Sequence, residues 1–422
     1  MATYRAQRAL DQVVVAQVTW LLETPPDVER VRTMVRRLAE SSLLGRVVVP
    51  APVFGAREHW AVLSAVPEVV VEPEPIDRAA VLTWVGERAQ APVDPTREPW
   101  HVAVRPLTDG GHAVTLVVCH TLTDGSGLLL TLGTERAPLT PTARRYDGPK
   151  AGRLVGMREA LAGVPAAVRA ARRTPRQRSA PGAAHAQPVT ATNRQPFDVL
   201  ACIDSSVWHP AATALGGSAN ALYLSVVAQV AAALSRVTPD GTVLLSIPVG
   251  ERADGDDLSG NALSSVTLEI PAGSSRDVAF LRAELKRVLT EHGAAPDPLT
   301  VTLPAVPYLP ARVVRRVAQA ALGSGSPVVA ASNVGVLPGL FVDAPGPATV
   351  VFLNVGVQYP DVPQVPERFS ALYTETSFAQ APGGTIALHV SVTSDRVSGA
   401  GEVRDAVADA LAAVGVWARE IL

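Results

Sequence analysis

The chain carries a short polar motif directly after a strongly apolar run, and this pairing constrains the local fold more than any other feature. The run Ala113–Val118 is rich in β-branched residues and predicts a buried strand. Cys119 and His120 follow at once, and Asp124-Gly125 comes four residues after His120. A strand therefore brings a histidine to its end, just before a turn.

These residue types suggest chemistry. A neutral imidazole at the end of a strand can act as a general base near pH 7. Asp124 is better placed to fix the loop through a charged hydrogen bond than to move protons, and Gly125 allows a sharp backbone turn. The motif alone fits equally well a buried histidine beside an aspartate that caps a helix, so both interpretations stay open here.

Length and composition indicate a globular protein of two domains. The chain has 422 residues, of which 47% are hydrophobic and 18% charged, with a net charge of −2. This near-neutral balance argues against general nucleic-acid binding, which needs a basic face. Lysine occurs only at Lys150 and Lys286, and such a preference for arginine is typical of a GC-rich bacterial genome.

The cysteines and histidines predict no metal site. Cys119 and Cys202 form neither a disulfide framework nor a metal-ligand cluster, and the histidines other than His120 show no ligand spacing. Neighbouring side chains in a strand point to opposite faces, so Cys119 and His120 do not share a cleft. Cys119 is therefore expected to be a buried apolar residue.

Targeting and membrane-spanning segments are not evident. No signal peptide is visible before the first long apolar run. The most apolar stretch, Ser218–Leu234, is shorter than the about 18 residues of a clear membrane span and contains polar side chains. It predicts a core helix in a cytoplasmic protein.

Hydrophobic periodicity predicts two α+β halves, each with a mixed sheet. Helices are expected at Pro26–Ser41, Ala79–Gln90, after Gly127, at Arg153–Arg173, Ser218–Leu234 and Arg276–Glu291, beyond Pro310 and from Glu402 to Ile421. Strands are expected at Gly45–Val49, Trp60–Ser64, Val69–Val71, Trp100–Pro106, Ala113–Cys119, Thr242–Ile247, Ser265–Ile270, Pro327–Ala331, Thr349–Gln358 and Ile386–Thr393. The turn Asp109-Gly110-Gly111 predicts a hairpin.

Residues 138–196 predict a linker, because they are rich in Ala, Pro and Arg and poor in strand formers. From Arg144 to Arg178, nine arginines and Lys150 stand against Asp147 and Glu159. A solvated connector is the favoured interpretation. A basic surface for an acidic carrier protein, a coenzyme phosphate or anionic lipid is the alternative.

Five segments together resemble the chloramphenicol acetyltransferase-like superfamily, which includes condensation domains of nonribosomal peptide synthetases, polyketide-associated acyltransferases, wax ester synthases and plant BAHD acyltransferases. They are Glu98-Pro99-Trp100, the His-x-x-x-Asp-Gly motif His120–Gly125, Ser218–Leu222, Pro248–Arg252 with Gly260-Asn261, and Ser332–Gly335. The resemblance implies an α+β fold of two chloramphenicol acetyltransferase-like halves, each a mixed β-sheet flanked by helices, with an active-site tunnel between them. The halves would be 1–137 and 197–422, joined by the linker 138–196.

The sequence also departs from its relatives. Cys119 stands where many members carry a second histidine, although BAHD enzymes manage without it. Pro338-Gly339 comes later than the Pro-Gly that follows Ser-Asn-Val in wax ester synthases, and the BAHD segment Asp-Phe-Gly-Trp-Gly is absent.

The resemblance assigns roles to individual residues. His120 would be the general base, and Ser332 or Asn333 would stabilise the oxyanion, with the backbone N–H of Gly125 or Ser126 as a further candidate. Asp124 would form a structural ion pair with an arginine. Arg46 and Arg252 are both available for that pair, and Arg46 is narrowly favoured. Trp100 and Cys119 would line the substrate tunnel.

The implied activity is acyl transfer from a coenzyme A or carrier-protein (phosphopantetheinyl) thioester to an alcohol or amine. We expect a monomer with no permanently bound cofactor. One alternative is a non-catalytic, condensation-like domain that binds a carrier protein, which the loss of the upstream histidine keeps open. The other is a wax ester or diacylglycerol synthase with a peripheral membrane contact. The presence of His120, Asp124 and Gly125 favours activity.

Overall fold

The structure is a computed structural model that describes residues 2–41, 43–133, 149–173, 191–192, 195–252, 259–294, 303–321, 327–359, 365–376 and 384–422. The helices are α1 Ala2–Ala9, α2 Val28–Glu40, α3 Val81–Gln90, α4 Gly125–Leu132, α5 Pro149–Arg173, α6 Ser205–Ala214, α7 Ala219–Ala233, α8 Val278–Gly293, α9 Ala311–Ala321, α10 Gly339–Val342 and α11 Ala400–Ala413. The strands are β1 Val13–Leu22, β2 Arg46–Val49, β3 His59–Val62, β4 Val69–Val71, β5 Trp100–Pro106, β6 His112–Cys119, β7 Ala191–Thr192, β8 Phe197–Asp204, β9 Val243–Gly250, β10 Leu263–Ile270, β11 Val329–Leu337, β12 Ala348–Gln358, β13 Val365–Pro366, β14 Arg368–Thr376, β15 Thr385–Thr393 and β16 Glu420–Ile421.

The first body is built on a five-stranded sheet in the order β12-β1-β6-β5-β4. The predicted hairpin is confirmed, since β5 and β6 pair antiparallel around the Asp109-Gly110-Gly111 turn. Helix α2 begins after Asp27, whose side chain accepts a hydrogen bond from Glu29 N, and packs its apolar face on the sheet. Strand β1 lies beside β6 and was not predicted, although it forms a long apolar run.

The second body is built on a seven-stranded mixed sheet in the order β10-β9-β11-β14-β15-β8-β16. Its core helix α7 matches the predicted buried helix and is capped by Ser218, whose hydroxyl accepts a hydrogen bond from Ala221 N. The helix is apolar on nearly all sides because the sheet covers one face and α6, α8 and α11 pack around the rest.

Two strands from the C-terminal part of the chain contribute to the first body. Strand β12 pairs with β1 in the first sheet, although it lies within the predicted C-terminal half 197–422. Strand β11 starts in the second core at Val329 and ends in the first core at Leu337. The chain boundaries at 137 and 196 stay predictions, and most of the predicted linker outside α5 lies outside the described residues.

The C-terminal helix is shorter than predicted. Helix α11 ends at Ala413, where Gly415 adopts a left-handed φ of 73° and turns the chain away. Residues Glu420–Ile421 then pair with β8 as the edge strand of the second sheet. The prediction of one helix to Ile421 is therefore wrong, because the glycine that ends it was not weighed as a helix stop.

The facing surfaces of the two bodies are joined by a buried cluster. Phe352 of β12 stacks on His389 of β15 with ring centroids 5.7 Å apart, and Thr374 donates a hydrogen bond to the Val351 carbonyl at 2.9 Å. Leu200 of β8 packs in the same cluster. These contacts make the two sheets one packed unit.

Of the helices that the structure describes, none is by itself long and apolar enough to cross a membrane. Helices α6 and α7 have the required length and composition only when taken together, as a pair bent by 89°.

We expect Phe352→Ala to lower the free energy of unfolding by about 3–5 kcal/mol, because it opens a cavity between the two bodies. Urea denaturation followed by fluorescence measures this. The matched control is Phe54→Ala, since the Phe54 side chain is 69% exposed. Equal effects of the two substitutions would contradict the interpretation of Phe352 as a contact that joins the bodies.

Candidate active site

The backbone of His120 is held from both bodies. His120 N donates to the Val14 carbonyl at 2.8 Å, which extends the pairing of β6 with β1 by one residue. From the second body, Asn261 Nδ2 donates to the His120 carbonyl at 2.5 Å. The residue itself is only partly shielded from solvent. The histidine therefore stands at the junction of the two bodies with a fixed main chain.

The surroundings of His120 favour its neutral form. Burial lowers the pKa of His120 from its ordinary value of 6.5, and the positive charge of Arg368 lowers it further. The Asp124 carboxylate and a hydrogen bond with the Asn261 side chain act in the opposite direction without cancelling the effect of burial. An imidazole that is neutral at pH 7 can accept a proton, as a general base must.

Asp124 is fully buried and satisfied by three donors. It caps helix α4, where Oδ1 accepts hydrogen bonds from Gly127 N at 2.7 Å and from Arg252 Nη2 at 2.9 Å. Oδ2 accepts from Ala262 N at 2.8 Å. Arg252 and Ala262 belong to the second body, so the carboxylate joins the His120 loop to that body. This geometry suits a structural role rather than proton transfer to substrate.

The partner of Asp124 is Arg252, so the preference for Arg46 is wrong. Arg46 instead donates to the Leu122 carbonyl at 3.0 Å, and its guanidinium lies 3.9 Å from the centre of the Trp60 ring. Burial, with repulsion from Arg252, lowers the pKa of Arg46 to about 10. Both arginines therefore contact the same loop: Arg252 binds the Asp124 carboxylate, and Arg46 binds the Leu122 carbonyl.

Two glycines permit this close approach. A Cβ on Gly260 would lie 2.8 Å from the Thr121 carbonyl oxygen and 2.9 Å from that of Leu122. A Cβ on Gly127 would meet the Thr123 hydroxyl. The Gly260-Asn261 pair of the resemblance thus has a physical basis. Gly260 lets the loop approach closely, and Asn261 donates a hydrogen bond to the His120 carbonyl.

Gly125 does not play the predicted turn-forming role. It is the first residue of α4 and its φ is not in the left-handed region. Apart from its chain neighbours and its own helix backbone, no atom lies within 4 Å of where a Cβ would stand. The missing side chain leaves open space beside the motif instead.

The structure separates Ser332 from Asn333. Ser332 lies in register with Leu372, which packs in the first core, so Ser332 is on the sheet face turned toward the first body. Asn333 is on the opposite face, where its Nδ2 donates to Asn220 Oδ1 at 2.9 Å and its Oδ1 accepts from Gly335 N at 2.7 Å. Ser332 and Asn333 therefore face different bodies, Asn333 contacts the start of α7, and the oxyanion role of either residue stays a prediction.

Trp100 and Cys119 lie in the first hydrophobic core. The Trp100 indole donates to the Leu44 carbonyl at 2.9 Å, and both side chains are almost fully buried. Burial raises the pKa of the Cys119 thiol to about 11, so it stays protonated and is a poor nucleophile. These contacts account for both residues as core packing, and their role in lining a tunnel stays a prediction.

Other histidines have structural surroundings. His59 contacts Glu159 at 3.0 Å, His209 contacts Glu375 at 2.8 Å, and His292 contacts Glu251 at 2.9 Å. Within the described ranges, no group of three or more His, Cys, Asp or Glu side chains could hold a metal ion.

We expect Gly260→Ala to destabilise the protein by about 1–3 kcal/mol, because its Cβ would push against two backbone carbonyls. Gly125→Ala provides the matched control and should stay within about 0.5 kcal/mol of the parent protein. Urea denaturation measures both. A Gly260→Ala protein as stable as Gly125→Ala would show that the loop contact is loose.

We expect the His120 imidazole to titrate below 6.5, the ordinary value, in an NMR titration of the ring resonances. Arg368→Gln should raise this pKa, because it removes a positive charge that opposes the imidazolium. The His120→Gln spectrum assigns the resonance. A pKa at or above 6.5, or no change in Arg368→Gln, would contradict the described surroundings.

Comparison with known proteins supports the fold. The wax ester synthase/diacylglycerol acyltransferase from Marinobacter aquaeolei VT8 aligns with a TM-score of 0.55 and 13% identity, over 97% of this chain and 97% of that one. The first condensation domain of the calcium-dependent antibiotic synthetase aligns with a TM-score of 0.55 and 17% identity, over 98% of this chain and 95% of that one.

Sequence comparison reaches less of the chain. A Mycobacterium tuberculosis protein that bears the provisional name diacylglycerol O-acyltransferase, in two strains, is 33% identical over 138 residues. The match covers 31% of this chain and only 27% of the relative. No protein-family model matches. The likeness to these solved structures confirms the predicted fold of two α+β bodies, each built on a sheet flanked by helices.

Proposed function

We propose that this protein is an acyltransferase that moves an acyl group from a coenzyme A or carrier-protein thioester to an alcohol or amine. The observation that carries the proposal is His120, a half-buried residue whose imidazole is biased toward its neutral form and whose backbone is held between the two bodies by Val14 and Asn261. The names of the structural neighbours, a wax ester synthase/diacylglycerol acyltransferase and condensation domains, support the same reaction class.

In the proposed step, His120 accepts the proton of the acceptor O–H or N–H while the oxygen or nitrogen attacks the thioester carbonyl. The tetrahedral intermediate then collapses, the C–S bond breaks, and the imidazolium returns the proton to the leaving thiolate. A base placed in this way contributes roughly 10²–10⁴ in rate. The donor is a substrate, so the chemistry needs no permanently bound group.

The oxyanion of the intermediate needs a donor, and one such donor is typically worth about 10²–10³ in turnover. Ser332 is the side-chain candidate, since its sheet face is turned toward the first body. At the start of α4 the Gly127 N–H is already taken by Asp124. Gly125 and Ser126 are therefore the backbone candidates in that turn.

The curated relative's name favours an alcohol as the acceptor and a lipid as the product. We place oxygen acceptors first, because the relative that is 33% identical over 138 residues bears the name of an O-acyltransferase.

We expect His120→Ala to lower acyl transfer by about 10²–10⁴, while its melting temperature stays within a few degrees of the parent protein. Thiol release is measured across acetyl- to palmitoyl-coenzyme A with pooled alcohols and amines. The control is His209→Ala, which removes a half-exposed histidine paired with Glu375 in the second body and should keep full activity.

Normal turnover in His120→Ala would overturn the mechanism. If the parent protein releases no thiol from coenzyme A donors, the assay is repeated with acyl groups on a carrier protein. No acyl transfer from either donor type would overturn the acyltransferase assignment and leave a carrier-protein-binding domain.

A further inference from the structure

Helix α5 is anchored to the rest of the chain through its inner face. On one side, Gly156 meets Pro52, where a Cβ would lie 2.6 Å from the proline ring. On the other, the Tyr308 hydroxyl donates to the Ala160 carbonyl and fills the space above Gly163. His59 contacts Glu159 at 3.0 Å. The helix is therefore anchored, and its opposite face is turned outward.

The outer face carries a continuous apolar stripe. Its five large side chains follow each other at spacings of three and four residues, which places them on one side of the helix along about 21 Å. They are Leu154, Met157, Leu161, Val164 and Val168, all exposed. Leu154 is 64% and Leu161 74% exposed, so nothing in the described chain covers them.

The stripe has positive charge on both sides. Arg153 borders one edge, and Arg158 and Arg169 border the other; all three are exposed. The only acidic residue in the helix sequence is Glu159, which contacts His59. An apolar face bordered by arginines is the pattern of helices that lie in a membrane interface, where the side-chain stems bury and the guanidinium groups reach the headgroups.

A second copy of α5 is a poor partner for this stripe. Arg153 and Arg158 occupy the positions that flank the seam of a paired helix. In a parallel pair, Arg153 of one helix would face Arg158 of the other. In an antiparallel pair, each of these arginines would face the same arginine of the other helix. Both arrangements place like charges together, whereas anionic headgroups complement them.

We propose that the exposed stripe of α5 binds an anionic lipid surface, with the protein lying on one leaflet. Phe54 extends the surface, since it is 69% exposed and the loop that carries it packs against α5 at Gly55 and Ala160. This inference does not depend on the proposed acyl transfer, because lipid binding is measured without turnover.

The test is flotation of the full chain with vesicles of phosphatidylcholine alone or with about 30% phosphatidylglycerol. We expect binding to the anionic vesicles that weakens as salt is raised. The double variant Leu154→Ser/Leu161→Ser should bind at least about tenfold more weakly. Arg158→Gln/Arg169→Gln should lose the preference for anionic lipid.

The matched control is Leu215→Ser/Leu289→Ser, which changes two leucines of the second body that are 39% and 37% exposed. It should bind like the parent protein, and circular dichroism checks that all variants fold. Failure of the parent protein to float with anionic vesicles, or unchanged binding of Leu154→Ser/Leu161→Ser, would overturn the proposal. A dimer in sedimentation equilibrium that this variant dissociates would assign the stripe to a second copy and also overturn it.

Discussion

The buried carboxylate of Asp124 is the constraint on which the candidate site depends. A charge with no exposure to water is stable only when its hydrogen bonds are complete, and those of Asp124 come from three places: the start of its own helix, Arg252 and the backbone of Ala262. Two of the three belong to the second body. The His120 loop therefore takes its shape only when the two bodies are packed together.

Several local features of the sequence follow from this one contact. Gly260 leaves no room for a Cβ because its segment lies against the Thr121 and Leu122 carbonyls, and Gly127 leaves none because a Cβ there would meet the Thr123 hydroxyl. Asn261 follows Gly260 and reaches the His120 carbonyl from the same segment. Arg46 supports the loop from the side of the first body through the Leu122 carbonyl. Each of these residues is explained by the position of its neighbours rather than by its own propensity.

Local sequence signals predicted much of the fold. The features that were missed depend on contacts between residues far apart in the chain. The β5–β6 hairpin, helix α2 and the buried helix α7 were predicted from the sequence, because turn residues and periodicity act over a few positions. Nothing local shows that β12 joins the first sheet. The choice between Arg46 and Arg252 failed for the same reason, since both are basic residues on segments that reach one carboxylate only after folding. The prediction for Gly125 was wrong because this glycine leaves open space beside the motif instead of forming a turn, and no sequence pattern shows open space.

The same geometry separates this site from a catalytic triad. In a triad, a carboxylate orients the histidine ring and stabilises its charged form. Here Asp124 is committed to Gly127, Arg252 and Ala262, and the balance of burial and charge favours neutral imidazole. Orientation must then come from the backbone contacts of His120 and from Asn261, which belongs to the other body. The fit between the two bodies thus fixes the main chain of His120, and in the proposed mechanism it takes the place of the carboxylate of a triad.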